Sequence, residues 1–190
     1  MDERKWIERI LAGDTQSFSC LVAKYEKMAY TIALRILENR EEAEEAVQDA
    51  FVKMYRALSD FHFDSKFSTW FYRIVYRTAL TALRQQRMFV SYEEAGPVDL
   101  SNDEVESATA LLEREDRKEM IARTLKKLPA DEALLLTLYY LEECSVEEIC
   151  QITELSASNV KVKLFRGRKR FYEVLQDKMK LETADSVSYT

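Results

Sequence analysis

The chain has 190 residues, a formal net charge of −6, three glycines and two prolines. This length allows one ordinary domain or two small ones, and the scarcity of helix-breaking residues favours an all-α fold. The apolar runs are far shorter than the roughly 20 residues of a membrane span, and Met1 is followed at once by charged residues rather than by a signal peptide. We therefore expect an all-helical, cytoplasmic protein.

The residues that usually build metal sites and hydrolytic active sites are scarce. His62 is the single histidine, and Cys20, Cys144 and Cys150 show no CxxC spacing. These counts and spacings do not favour a zinc site or a disulfide framework, and no Ser/His/Asp triad or Gly-rich phosphate loop is recognisable in the sequence. We therefore expect no enzymatic activity, no metal and no cofactor.

The charges are strongly segregated, although the net charge argues against binding to nucleic acid. Residues 65–92 contain five basic residues and no acid, and residues 161–170 contain six and no acid. Residues 93–117 hold nine acids against two arginines. The sequence thus predicts a first domain over 1–92, an acidic linker over 93–117, a second domain over 118–180 and a mobile tail over 181–190.

Apolar residues in the first unit recur with helical spacing. In chain order, we predict a first helix from Glu3 to Ala12, which Gly13 ends. A second helix starts after Asp14 and has apolar positions as far as Leu37, and a third has an apolar stripe from Ala43 to Leu58. A loop over 59–65 and a fourth helix over about 68–87 follow. Gly96-Pro97 ends the unit.

The second unit has the pattern of a helix-turn-helix. A helix over about 131–141 precedes Ser145-Val-Glu-Glu148, which fits a capping box. A short helix to about Ile152, a turn over 153–155 and Ser156 as N-cap then lead into a long basic helix that ends near Asp177. Such a pair of helices places its second helix in the major groove of DNA.

The outer face of this last helix suits duplex recognition. A basic amphipathic helix alone would indicate only a solvated surface, but here it follows a capped helix at the right distance. Arginine and lysine match guanine edges and asparagine matches adenine edges. We expect base contacts from Asn159, Lys163 and Arg166, and mainly phosphate contacts from Lys161, Arg168, Lys169 and Arg170.

The fourth predicted helix and the residues just before it interleave basic and aromatic side chains, including Lys66, Trp70, Arg73 and Arg77. Exposed bases stack on aromatic rings while cations follow the backbone of a single strand, so this pattern favours unpaired nucleic acid. Several of the rings must also build the core, and for any one of them packing is the stronger interpretation.

Several motifs, taken in their order along the chain, resemble those of a known family. Leu21-x3-Tyr25, the stretch REEAEEAVQDAF over 40–51, FSTWFYRI over 67–74, Leu128-Pro129, Glu148-Ile149 and Val160-Lys161 are similar to extracytoplasmic-function sigma factors of the sigma-70 family. The resemblance covers about residues 11–175.

This resemblance implies that the first unit docks on core RNA polymerase and opens the minus-ten promoter element, while the second reads the minus-thirty-five element. It also implies an anti-sigma factor as a partner. The core-binding residues carried over are Glu41, Glu44, Glu45, Gln48, Asp49 and Phe51. The minus-ten residues are Phe61, His62, Phe63, Asp64, Lys66, Ser68, Thr69, Trp70, Arg73, Arg77 and Arg84, and Ser158 joins the minus-thirty-five set.

A few positions depart from the family pattern. Arg77 and Thr81 stand where Asn and Asp are common, Glu154 replaces a usual Gly in the turn, Cys150 replaces Ala, and Ser158-Asn159 replaces Gly-Thr. Two other hypotheses also remain. The protein could be an operator-binding regulator whose first unit dimerises or senses a signal, or a helical scaffold whose charged faces bind only proteins. The basic-aromatic helix argues against the operator binder, which has no need to capture unpaired bases.

Overall fold

The computed structural model describes the backbone of residues 3–90 and 112–187, and its described part is entirely helical outside turns. The predicted helices of the first unit are confirmed, and no end is shifted by more than three residues. They are α1 (Glu3–Leu11), α2 (Thr15–Leu37), α3 (Arg40–Ala57) and α4 (Phe67–Val90), with a short 3-10 turn over Leu58–Asp60.

Local chemistry explains where these helices begin and end. Gly13 has φ +97°, a left-handed conformation that glycine adopts without steric cost. Asp14 Oδ1 then accepts a 2.9 Å hydrogen bond from the Gln16 amide, and Asn39 Oδ1 accepts one of 3.2 Å from the Glu42 amide. Both side chains satisfy amides that lack partners at a helix start.

The first unit packs α2, α3 and α4 around aromatic rings. Phe71 is fully buried, and its ring centroid lies 4.8 Å from that of Phe51 and 6.0 Å from that of Tyr25. Leu21, Ile32 and Met54 are buried around them. The aromatic residues of α4 therefore divide between a packed face and an outer face.

The second unit contains α5 (Leu112–Lys126), α6 (Ala130–Tyr140), α7 (Val146–Thr153) and α8 (Ala157–Val187). The predicted capping box is present, because the Glu148 amide donates to Ser145 Oγ at 3.1 Å and the Ser145 amide donates to Glu148 Oε2 at 2.8 Å. The helix α8 extends ten residues past its predicted end near Asp177, since no glycine or proline follows Gly167. The first seven residues of the predicted tail are helical, and so is the end of the predicted linker from Leu112.

The two units pack against each other, with α4 on α7 and α2 on α6. An Arg35 guanidinium nitrogen on α2 donates a 3.3 Å hydrogen bond to the Leu125 carbonyl on α5. The Gly96-Pro97 break and most of the predicted linker lie outside the described residues. Among the residues that the structure describes, no helix has the length and apolar character to cross a membrane.

Candidate nucleic-acid interface

The N-terminal end of α8 is capped and packed against the rest of the second unit. Ser156 Oγ accepts a 3.3 Å hydrogen bond from the Asn159 amide, and Val160 and Leu164 are buried. Farther along, a Cβ at Gly167 would lie 3.2 Å from Leu136 Cδ1. The glycine therefore allows close packing of α8 on α6, which orients the outer face of α8.

Helical spacing puts the residues predicted to contact bases on one face of α8, where Asn159 and Arg166 are exposed and Lys163 is half-buried. Arg166 is exposed and makes no ion pair with another described residue. Lys163 Nζ pairs with the Asp131 carboxylate on α6, and Arg170 lies 3.3 Å from a Glu132 oxygen whose side chain is only 7% exposed. The structure thus leaves Arg166 as the least constrained cation of this face.

The residues predicted to contact phosphate are also exposed, and most have local partners. Arg168 Nε donates to the Leu164 carbonyl at 3.3 Å, and its NH1 lies 3.4 Å from the Tyr140 hydroxyl. Lys169 lies 3.9 Å from the Glu173 carboxylate. Lys161 and Ser158 are exposed at the start of the helix.

Exposed aromatic side chains on the second unit are a feature that sequence reasoning missed. Tyr140 is 51% exposed, Phe165 64% and Tyr172 61%. Phe165 lies between Lys161 and Arg168 on one face of α8 by helical spacing. Helical periodicity could have indicated this surface, since none of these rings falls on the buried face.

The loop before α4 and the first turn of α4 form an aromatic cluster. Phe61 is buried at 7% exposure, and its ring lies 4.7 Å from Phe63 and 5.1 Å from Trp70. Phe63 is 40% exposed and has φ +61°, which turns the chain back sharply. His62, Asp64 and Arg84 are exposed, whereas Ser68 and Trp70 are half-buried.

Four other residues predicted to contact the minus-ten element face the second unit. Glu148 Oε1 lies 2.9 Å from Lys66 Nζ and 3.4 Å from Thr69 Oγ1. Arg77 Nε donates to Glu154 Oε1 at 2.9 Å, and an Arg73 nitrogen lies 3.4 Å from the same oxygen. Lys66, just before α4, and Arg73 and Arg77 on α4 are therefore paired with acids on and just after α7.

The electrostatics of these contacts favour the charged forms of the two carboxylates. The hydrogen bond from Arg77, with a further one from Arg73, lowers the pKa of Glu154 below its usual value. Partial burial by itself raises the pKa of Glu148, but the hydrogen bonds from the Ser145 amide and from Lys66 outweigh it. The pKa of Glu148 is therefore also lowered. Beside them, burial and a 2.8 Å hydrogen bond to Glu142 raise the pKa of Tyr72.

The predicted core-binding residues occupy the outer face of α3, with one exception. Glu41, Glu44, Glu45, Gln48 and Asp49 are exposed, and Glu45 and Asp49 line a groove between α3 and α4. Phe51 is only 8% exposed and packs against Phe71. The structure therefore places Phe51 in the core rather than on this acidic face.

Family models match most of the described chain. The model for sigma-70 region 2 covers residues 21–88, and the model for sigma-70 region 4 covers residues 118–171. The chain is an extracytoplasmic-function sigma factor of the sigma-70 family. It directs RNA polymerase in transcription initiation, binds core polymerase and promoter DNA, and is not an enzyme.

Curated relatives agree with this assignment, and solved structures share the fold. The sigma factor is 32% identical to the RNA polymerase sigma-H factor of Pseudomonas aeruginosa over 92% of its own length and 94% of the relative. It is 31% identical to the sigma-E factor of Escherichia coli K12, covering 86% and 88% of the two chains. The fold resembles RpoE of Bartonella quintana, solved with the anti-sigma factor NepR (TM-score 0.66, 18% identity, covering 85% and 98%), and CnrH, solved with the cytosolic domain of CnrY (TM-score 0.60, 21% identity, covering 92% and 97%).

Proposed function

We propose that the two units divide promoter recognition between them, with α8 reading the minus-thirty-five duplex and the loop before α4 capturing bases of the minus-ten element. The observation that supports the first part is the face of the exposed Asn159 and Arg166 and the half-buried Lys163, which lies on a capped and closely packed helix. The exposed loop residues His62, Phe63 and Asp64, next to the half-buried Trp70, support the second part.

Energetics indicate that strand opening needs the polymerase. Opening about five base-pair steps costs on the order of 7 kcal/mol at roughly 1.4 kcal/mol per step. Stacking two captured bases on rings such as Phe63 and Trp70 recovers about 2 to 6 kcal/mol. The remainder must come from contacts of the downstream DNA with core polymerase.

The acidic face of α3 is the proposed docking surface for core polymerase, formed by Glu41, Glu44, Glu45, Gln48 and Asp49. These side chains are exposed, and the buried Phe51 stabilises the helix beneath them. Reversing the charge of Glu45 and Asp49 together should weaken core binding. The matched control reverses Glu26 and Glu38, which are also exposed in the first unit but lie off this face.

The remaining assignments are the domain limits, an acidic linker over 93–117 and an anti-sigma partner. The proposed domain limits are supported by two separate matched regions, 21–88 and 118–171, with residues 89–117 between them. The anti-sigma partner is proposed because one structural neighbour, RpoE of Bartonella quintana, was solved in complex with the anti-sigma factor NepR. A protein recovered with this chain from host lysate should then block transcription when purified and added back. We also propose that the sigma factor acts in the cytoplasm, together with RNA polymerase.

The deciding experiment is transcription in vitro with purified core polymerase on a library of host promoter fragments. We expect transcripts that start at defined sites only when the protein is added. The Glu45 and Asp49 double reversal should reduce core binding and transcript together, while the Glu26 and Glu38 control keeps both. Core binding without any start-site-specific transcript would refute the proposed promoter recognition.

A further inference from the structure

The first turn of α1 lies beside the loop to which the proposed function assigns base capture. The Arg4 guanidinium carbon is 4.7 Å from the centroid of the Phe63 ring, within the distance of a cation–π contact. Phe63 is 40% exposed in the loop before α4. Arg4 therefore contacts a ring of the candidate minus-ten site, although it is not among the residues that the family resemblance carries over.

Two anchors hold this turn of α1 in place. Ile7, about one turn after Arg4, is fully buried. The Glu3 carboxylate accepts hydrogen bonds from Lys24 and Tyr25 on α2. The helix also contacts the 3-10 turn that precedes the loop. The backbone of Arg4 is therefore fixed relative to the loop that its side chain contacts.

The conformation of Phe63 depends on such neighbours. Its φ is +61°, a left-handed conformation that a bulky residue rarely adopts and that persists only where the surroundings hold it. The ring of the buried Phe61 lies 4.7 Å from the Phe63 ring, and Arg4 contacts the same Phe63 ring. These two contacts hold the ring of Phe63 at the surface of the loop.

An arginine in this position has the chemistry that an unpaired strand requires. The guanidinium is always charged, stacks on aromatic faces and has a fork of N–H donors that matches a phosphate. Unpaired bases also stack on guanidinium planes. The Arg4 side chain is 63% exposed, and its Nε lies 3.5 Å from a carboxylate oxygen of the equally exposed Glu8. Such an exposed pair is weak, so a phosphate can replace Glu8 at little cost.

We infer that Arg4 is a further promoter contact, which binds a backbone phosphate of the unpaired minus-ten strand next to the base captured at Phe63. This inference rests on the proposed capture of bases by the loop. Because the guanidinium lies 4.7 Å from the ring centroid, a base that stacks on this ring brings its own backbone to Arg4. The nucleic-acid interface of the first unit then includes α1 as well as the loop and α4.

The test is binding of the polymerase holoenzyme to a promoter fragment from the transcription library, with a mismatched bubble over the minus-ten element. The bubble removes the cost of strand opening, so the affinity reports contacts with the unpaired strands. Each phosphate neutralised in a single strand contributes about 0.7 to the slope of log affinity against log salt. Arg4→Gln should therefore reduce that slope by about 0.7, whereas Arg4→Lys, which keeps the charge, should retain the slope of the parent.

Lys5→Gln is the matched control, because it removes the same charge from the next residue of α1. Lys5 is exposed, and helical spacing places it on the opposite side of α1 from the buried Ile7. Its removal should leave the salt slope unchanged. Circular dichroism of each free variant verifies that it is folded before the holoenzyme is assembled.

The salt slope distinguishes a phosphate contact from support of the loop alone. A residue that only supports the loop alters the affinity without the slope, so an unchanged slope in Arg4→Gln would overturn the inference. Equal losses of slope in Arg4→Gln and Lys5→Gln would also overturn it, because they would indicate a general effect of net charge.

Phe63→Ala separates this inference from the proposed function. Base capture predicts that Phe63→Ala weakens binding to the bubble fragment. If Phe63→Ala binds as tightly as the parent while Arg4→Gln still reduces the slope, base capture by this ring is refuted and the phosphate contact of Arg4 is supported.

Discussion

Arg166→Ala should remove a base contact without disturbing the fold, because the side chain is exposed and pairs with no other described residue. A well-placed arginine contact to a guanine contributes about 1–3 kcal/mol of discrimination. This corresponds to a loss of about 5- to 150-fold in affinity for the cognate minus-thirty-five element, at 1.4 kcal/mol per tenfold. Lys163→Ala should lose less, since DNA binding must first release Lys163 from Asp131.

The assay is binding of the polymerase holoenzyme to a promoter selected from a random library, followed by a second selection with each variant. Arg166→Ala should relax the preference at one or two positions. The control is Lys169→Ala, which should weaken all sequences alike and reduce the slope of log affinity against log salt by about 0.9. If Arg166→Ala and Lys163→Ala keep both the affinity and the preference of the parent, the assignment of α8 as the base-reading helix is wrong.

Three further predictions concern stability and reactivity. Phe71→Ala, at a fully buried ring, should lower the free energy of unfolding by about 3–5 kcal/mol in chemical denaturation, whereas Phe165→Ala, at 64% exposure, should change it little. Ser145→Ala removes the cap of α7 and should cost about 1 kcal/mol by the same measurement. Burial raises the pKa of Cys144 to about 11, so at pH 8 only about one thiol in a thousand is ionised there. Alkylation followed by mass spectrometry should therefore modify the exposed Cys20 first and Cys144 faster as the pH rises, and equal rates at pH 8 would contradict this.

Local signals in the sequence were sufficient for the helices and their caps. Asp14, Ser145 and Ser156 each cap a helix by a hydrogen bond that depends only on residues within three positions. Gly13 likewise ends α1 through its own backbone conformation. Such short-range chemistry is independent of the rest of the fold, which explains why these predictions are confirmed.

The features that sequence reasoning missed depend on distant residues. The match to the core-binding helix could not show that Phe51 is covered by Phe71, twenty residues away. The contact between Arg77 and Glu154 joins residues 77 positions apart. Comparison of the sequence with the family pattern identifies Arg77 and Glu154 as departures from it, but only the packing of α4 on α7 shows that the two residues form a pair.

Ion pairs within the chain also explain how an acidic protein can carry a DNA-binding function. Each phosphate that a basic residue neutralises adds about 0.9 to the salt slope of DNA affinity. Lys66, Arg73 and Arg77 are paired with acids in this structure, so up to three phosphate contacts, or about 2.7 of slope, require an exchange of partners. Lys163 and Arg170 are paired in a similar way with acids of α6. We therefore expect the free chain to bind non-specific DNA weakly.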